Sequence, residues 1–254
     1  MTLLANDIIL ETHDLCRRFG GFHAVKNVNL QVKRHSVHAL IGPNGAGKTT
    51  CFNLLTKFLE PSAGVITYNG ADITRMPPAA IARKGLVRSF QISAVFGQLS
   101  AFDNVRLALQ RKLGVAMKFW LSFRALRGID EEAAQLLDSV GLLPFMHVRA
   151  GELSYGRKRA LEVATTIALD PEMMLLDEPT SGLGTEDIER VADLIKLAAK
   201  GRTVVMVEHN LGVVAGLCDR VTVLQRGEIL AEGSYDDIAK DQRVIEAYVG
   251  VDDE

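Results

Sequence analysis

Gly42-Pro43-Asn44-Gly45-Ala46-Gly47-Lys48-Thr49 fits the pattern G-x-x-x-x-G-K-[ST] at every fixed position. Before it, Val37-His38-Ala39-Leu40-Ile41 is an apolar run of strand length, and after it Thr50-Cys51-Phe52-Asn53-Leu54-Leu55 has helical spacing of apolar residues. Strand, glycine loop and helix are the context in which this pattern cradles phosphates. Glycines let backbone N–H groups curl around an anion, and the helix N-terminus adds partial positive charge. Lys48 is placed to reach the β- and γ-phosphates and the Thr49 hydroxyl to ligate Mg²⁺. The stretch from Gly42 to Thr50 is therefore expected to bind a nucleoside triphosphate.

The 254 residues suffice for one elaborated α/β domain or a domain with a sizeable insertion. With 29 basic and 31 acidic residues the net charge is −2, so no global field attracts nucleic acid. Cys16, Cys51 and Cys218 lie far apart without C-x-x-C spacing, which excludes a zinc knuckle and fits a reducing compartment. The N-terminus carries no basic region typical of a secretion signal, and no apolar run reaches the roughly 20 residues that span a bilayer. A cytoplasmic protein is expected.

Ile8-Ile9-Leu10-Glu11-Thr12 and Val28-Asn29-Leu30-Gln31-Val32 read as strands, with Gly20-Gly21 turning between them. Phe19 and Phe22 flank that turn, either as core residues or as an aromatic surface for a purine base. Val65-Ile66-Thr67-Tyr68 runs into the turn Asn69-Gly70, an antiparallel edge. Pro77-Pro78 opens a short helix through Lys84, and Leu86-Val87-Arg88-Ser89-Phe90 returns as a strand ending at Gln91. From 93 to about 151, Val105, Leu107 and Leu109, then Ala133, Leu136, Leu137 and Val140, indicate an inserted helical lobe. Asp130-Glu131-Glu132 reads as the first turn of one of its helices, which Gly141 and Pro144 stop. The apolar stretch Met117-Lys118-Phe119-Trp120-Leu121-Ser122-Phe123 is expected to pack inside the lobe.

Leu153-Ser154-Tyr155-Gly156 precedes a helix over 157–169, with Ser154 placed as its N-cap. Met173-Met174-Leu175-Leu176-Asp177-Glu178 is a buried parallel strand ending in two carboxylates that alternate in direction. One is suited to hold hydrated Mg²⁺ and the next to address a water molecule. A helix over 186–200 leads to the strand Thr203-Val204-Val205-Met206-Val207-Glu208, which ends at His209. Arg220 to Glu232 forms a hairpin around Gln225-Arg226-Gly227, and a polar helical tail covers 235–249. The sheet is mixed and parallel in its centre.

In this order, the phosphate loop, Gln91, Leu153-Ser154-Tyr155-Gly156, Leu175-Leu176-Asp177-Glu178 and His209 resemble the nucleotide-binding subunit of ABC transporters over nearly the whole chain. The resemblance implies a RecA-like P-loop α/β core with an antiparallel β subdomain and an inserted helical subdomain. Residues 1–92 and 153–254 would form the core and 93–152 the helical part. It implies ATP and Mg²⁺ as cofactors, Phe19 on the adenine, and Gln91 and Asp177 with Thr49 at the metal. Glu178 would act on the attacking water, while Lys48 and His209 would hold the γ-phosphate. Ser154 and Gly156 would cap the nucleotide of a facing subunit.

Two positions depart from the family pattern. Tyr155 and Arg157 stand where glycine and glutamine are commonest, and Gly184 replaces the usual acid or amide after Ser181-Gly182-Leu183. Within the family, Arg88-Ser89-Phe90-Gln91, Glu208-His209-Asn210 and the ending Ile245-Glu246-Ala247-Tyr248-Val249-Gly250 resemble importer ATPases for branched-chain or other hydrophobic amino acids. The implied partners are an identical or related ATPase subunit, integral membrane permeases and, indirectly, a solute-binding protein, with no nucleic acid. The implied location is the cytoplasmic face of the inner membrane. A lipopolysaccharide-type exporter ATPase and a soluble ABC ATPase are the alternatives.

Overall fold

The computed structural model describes residues 7–89, 95–112 and 123–249. The chain runs through β1 (Ile8–Phe19), β2 (Phe22–Val28), β3 (Gln31–Lys33), β4 (Val37–Ile41), α1 (Lys48–Leu55), β5 (Ala63–Tyr68), β6 (Ala71–Asp72), α2 (Pro78–Arg83) and β7 (Leu86–Ser89). It continues with α3 (Ala101–Lys112), α4 (Phe123–Ser139), α5 (Tyr155–Ala168), β8 (Met173–Asp177), α6 (Thr185–Ala199) and β9 (Thr203–Val207). Then follow α7 (Leu211–Leu217), β10 (Arg220–Gln225), β11 (Glu228–Gly233), α8 (Tyr235–Ile238) and α9 (Gln242–Val249).

Two compact units emerge. The first combines residues 1–88, 172–182 and 199–254, and the second combines 89–171 and 183–198. In the first unit, the described strands form one sheet ordered β11-β10-β4-β9-β8-β7 and a second ordered β2-β1-β5-β6, with β3 also on β1. β10, β4, β9 and β8 are mutually parallel, while β11 returns antiparallel. β8 and β9 are buried at every position, as strands covered on both faces must be. The second sheet is antiparallel, and its strands mix buried with exposed positions, as a sheet with one wet face does.

α1 joins the two sheets. Phe52, Leu54 and Leu55 share one core with Leu10 and Leu15 of β1 and with Leu175 and Val205 of β8 and β9. Each such side chain contributes about 1.5–3 kcal/mol by leaving water, so the helix that follows the glycine loop is firmly seated.

Several local expectations shift. The first strand continues to Phe19, and the stretch 28–32 divides between β2 and β3. The Asn69-Gly70 turn has φ of 51° and 71°, the left-handed pair that a tight hairpin of this twist requires. Pro78 takes the first helical position of α2.

In the second unit α3, α4 and α5 pack on one another, and Val105 and Leu109 of α3, Ala133 and Leu137 of α4 and Leu161 of α5 are buried. Leu107, expected to share that face, is exposed because two residues along a helix turn a side chain through about 200°. Asp130-Glu131-Glu132 does not open a helix, since α4 begins at Phe123. Those acids instead pair laterally, Asp130 with Arg106 at 2.9 Å and Glu132 with Lys112 at 3.9 Å. Gly141, at φ 70°, ends α4 as expected, with Leu142 N–H donating to Leu137 O at 2.7 Å. Of the stretch 117–123, only Phe123 lies within the described residues.

Candidate nucleotide site

The glycine loop connects β4 to α1, and close approach fixes its composition. A Cβ on Gly47 would sit 2.3 Å from the Ala24 carbonyl oxygen, and one on Gly42 2.2 Å from that of Leu224. Their φ angles, 99° and 148°, also lie where side chains are strained. The tip of the β10–β11 hairpin braces the loop, Gly227 N–H donating to Ala46 O at 2.9 Å. Glu246 and Ala247 of α9 line a shallow pocket with Pro43, Asn44, Gly45 and Ala46.

Gly47 is the N-cap of α1, and Lys48 is its first helical residue. The first N–H groups of a helix lack intrahelical partners and carry the positive end of its dipole. The Lys48 ammonium is buried and donates to Gly42 O at 2.7 Å and Pro43 O at 2.9 Å. Burial lowers its pKa below the ordinary lysine value, and the Glu178 carboxylate opposes that shift. Thr49 is exposed and Thr50 partly so.

Asp177 and Glu178 diverge as expected, but only the first does so by strand alternation. Asp177 ends β8 with its side chain 4% exposed, in an ion pair with Arg88 Nη2 at 2.8 Å. Arg88 also donates to Asn53 Oδ1 at 2.7 Å and lies over the rings of Phe58 and Phe52. Burial pushes the Asp177 carboxyl above its ordinary value, while Arg88 pulls it back. Glu178 lies past the strand with φ 46°, a left-handed backbone that turns its side chain outward. Its Oε1 is 2.7 Å from His209 Nε2.

His209 follows Glu208 at the end of β9, the strand between β4 and β8. Thus the glycine loop, Asp177, Glu178 and His209 all belong to the ends of adjacent parallel strands, the usual place of a site in such sheets. Phe19 and Phe22 are exposed, not core residues, and Arg17 stacks on Phe19 with its guanidinium carbon 4.7 Å from the ring centre. Gln91 lies outside the described residues.

Ser154 and Gly156 belong to the second unit. Ser154 takes the N-cap position of α5, yet its hydroxyl makes no cap bond and is exposed. A Cβ on Gly156 would stand 3.3 Å from Asp187 Oδ1, so glycine lets α6 approach. Arg157 lies over Phe145 at 3.8 Å from the ring centre, which gives this departure from the family pattern a packing role. Gly184 precedes α6, and a side chain there would meet open space.

Sequence reasoning missed Arg88 and Glu208 as parts of the site. Their signal was a charge inside an apolar strand segment, Leu86-Val87-Arg88 and Val205-Met206-Val207-Glu208, since a buried charge requires partners.

The ABC transporter family profile matches residues 25–181, and that of the branched-chain amino acid ATP-binding cassette transporter matches 228–254. The chain is 40% identical over 252 residues to the high-affinity branched-chain amino acid transport ATP-binding protein BraF of Pseudomonas aeruginosa, covering 95% of this chain and 98% of that protein. It is 36% identical over 249 residues to the corresponding protein LivG of Escherichia coli K12, with 95% and 98% covered. The crystal structure of the ADP conformation of MJ1267, an ATP-binding cassette of an ABC transporter, superposes with a TM-score of 0.81 at 30% identity. That match covers 96% of this chain and 99% of the other. With one continuous relationship spanning both units, the chain belongs to the ABC transporter family as an ATP-binding, ATP-hydrolysing subunit.

Proposed function

We propose that this ATPase powers the uptake of branched-chain amino acids, acting as a dimer on integral permease subunits at the cytoplasmic face of the inner membrane. A solute-binding protein would deliver the substrate to those permeases. The names of relatives matched over nearly their full length support this reading. Among the described residues no helix is long and apolar enough to cross a membrane, and in this reading the permease subunits form the passage.

In this reading the loop from Gly42 to Thr50 wraps the phosphates, and Lys48 exchanges the carbonyls of Gly42 and Pro43 for phosphate oxygens. Exposed Phe19 offers its ring to the adenine. The Thr49 hydroxyl and the Asp177 carboxylate are hard oxygen donors of the kind Mg²⁺ takes alongside phosphates and water, with Gln91 as a further ligand. When bound, the ion neutralises charge that develops on the β- and γ-oxygens. To hold the ion, Asp177 would exchange its pairing with Arg88, which would keep Asn53 as a partner. Glu178 orients or deprotonates the attacking water, and His209 holds Glu178 and the γ-phosphate in register. Ser154 and Gly156 complete the site of the facing subunit.

The solute rests on the relatives' names, and the hydrolytic roles rest on the 2.7 Å Glu178–His209 contact at the ends of strands beside the glycine loop. Reconstitution with the permeases and binding protein in liposomes tests it. ATP-driven accumulation of leucine, isoleucine or valine is expected; hydrolysis without accumulation of any of them would overturn the substrate assignment.

A further inference from the structure

Glu208 sits between β9 and His209, and its side chain is buried, the whole residue being 3% exposed. A carboxylate so placed is tolerable only if its lone pairs are filled. Its Oε1 accepts from the Thr180 N–H at 3.0 Å and from the Thr180 hydroxyl. Its Oε2 accepts from the N–H groups of His209 at 2.8 Å and Asn210 at 3.0 Å. Each oxygen therefore serves a different loop.

We infer that Glu208 is a positioning residue for hydrolysis, a buried clamp that ties the turn carrying Glu178 to the turn carrying His209. This rests on the reading that Glu178 and His209 handle the attacking water. Glu178 needs such a hold, because a left-handed backbone at a non-glycine residue persists only where its surroundings impose it. Its N–H donates to Val207 O at 2.9 Å and its carbonyl accepts from Ser181 N–H at 3.1 Å, so the turn is pinned on the side facing β9. Thr180, two residues on, is pinned by Glu208. On the other loop, Asn210 caps α7 by accepting from Val213 N–H, which extends the hold into the helix after His209.

The chemistry selects a carboxylate. Four donors converge on two oxygens, and an amide of the same shape would aim its NH₂ group at one of the two donor pairs. Aspartate would fall short by one methylene. Glu208→Gln therefore removes the clamp on one loop with almost no change in volume.

The test uses the full-length chain and compares Glu208→Gln, Thr180→Val and Glu178→Gln with wild type for steady-state kcat and for ATP affinity by calorimetry. Displacement by about 1 Å in a catalytic group costs about 100-fold, so Glu208→Gln is expected to lose at least about tenfold in kcat. ATP affinity should fall by a much smaller factor than kcat, because the clamp leaves the phosphate loop with Lys48 in place and His209 makes only one of the phosphate contacts. Thr180→Val, which deletes a single donor on the Glu178 side, should show a smaller loss of kcat with little change in affinity. A wild-type kcat for Glu208→Gln would overturn the clamp, and so would an affinity that falls by the same factor as kcat. Should Glu208→Gln fail to fold, an unaltered kcat in Thr180→Val overturns it instead. Retained activity in Glu178→Gln would sink the underlying reading, whereas an inactive Glu178→Gln beside a fully active Glu208→Gln would sink the clamp alone.

Discussion

Lys48, which is buried, and Arg88, which is largely covered, show two ways in which a cation shapes this site. Lys48 is held by carbonyls of its own loop, which are weaker partners than phosphate oxygens. Lys48→Ala should therefore cost little stability yet weaken ATP binding by at least about tenfold, since a charged hydrogen bond contributes about 1.5–3 kcal/mol. Titration calorimetry giving equal affinities for the two proteins would contradict the role. Arg88 has the opposite profile, because its partner Asp177 is itself buried. Arg88→Met leaves that carboxylate unpaired and should destabilise the fold by about 3–5 kcal/mol in denaturant unfolding. Adding Asp177→Asn should restore much of the loss. A double variant no more stable than Arg88→Met would show that the ion pair is not the cause.

Among the elements, β4 and β10 carry a buried histidine whose titration should be visible in stability. His38 Nε2 lies 2.8 Å from Thr222 Oγ1, and Arg220 is its register partner across the strands. Burial, with help from Arg220, pushes the imidazole pKa down to about 4 from an ordinary 6.5. The folded chain thus refuses a proton that the unfolded chain accepts between these values. The stability tied to neutral His38 is full above 6.5 and is lost as pH falls towards 4. His38→Gln should flatten the pH dependence of unfolding free energy across this window. An unchanged slope would assign acid sensitivity to other groups. The sequence held this strand legibly, because an apolar run before a glycine loop has few other readings. It misplaced the start of α4, because acids that fit a helix N-terminus serve equally well in lateral pairs with Arg106 and Lys112.

For the whole molecule, the proposal that two chains share each site makes a complementation test decisive. Lys48 lies in the first unit and Ser154 in the second, on α5's N-cap. An inactive Lys48→Ala subunit mixed with an inactive Ser154→Arg subunit should regain part of the ATPase activity, because one hybrid site would join an intact loop to an intact Ser154-Tyr155-Gly156 turn. No regain with mixed dimers demonstrated would count against shared sites. Gly184, which offers no side chain where the family commonly has one, identifies a place where the facing subunit could supply the better contact. A related partner ATPase should then raise activity above that of this chain alone.

The sequence by itself determined the glycine loop with its flanking strand and helix, the acidic end of β8 and the histidine after β9, since each is a local pattern whose backbone demands are met within a few residues. It also carried the family, through the order of motifs along the chain. Tertiary structure alone decided what each carboxylate touches. Asp177 faces Arg88 from another strand, Glu178 turns out through a left-handed residue to reach His209, and Glu208 gathers donors from its own turn and from Thr180, 28 residues before it. It likewise decided that 155–171 and 183–198 group with the helices of the second unit. These outcomes depend on burial and on partners distant in sequence, and no local pattern of apolar and polar residues records which distant partner satisfies a buried charge.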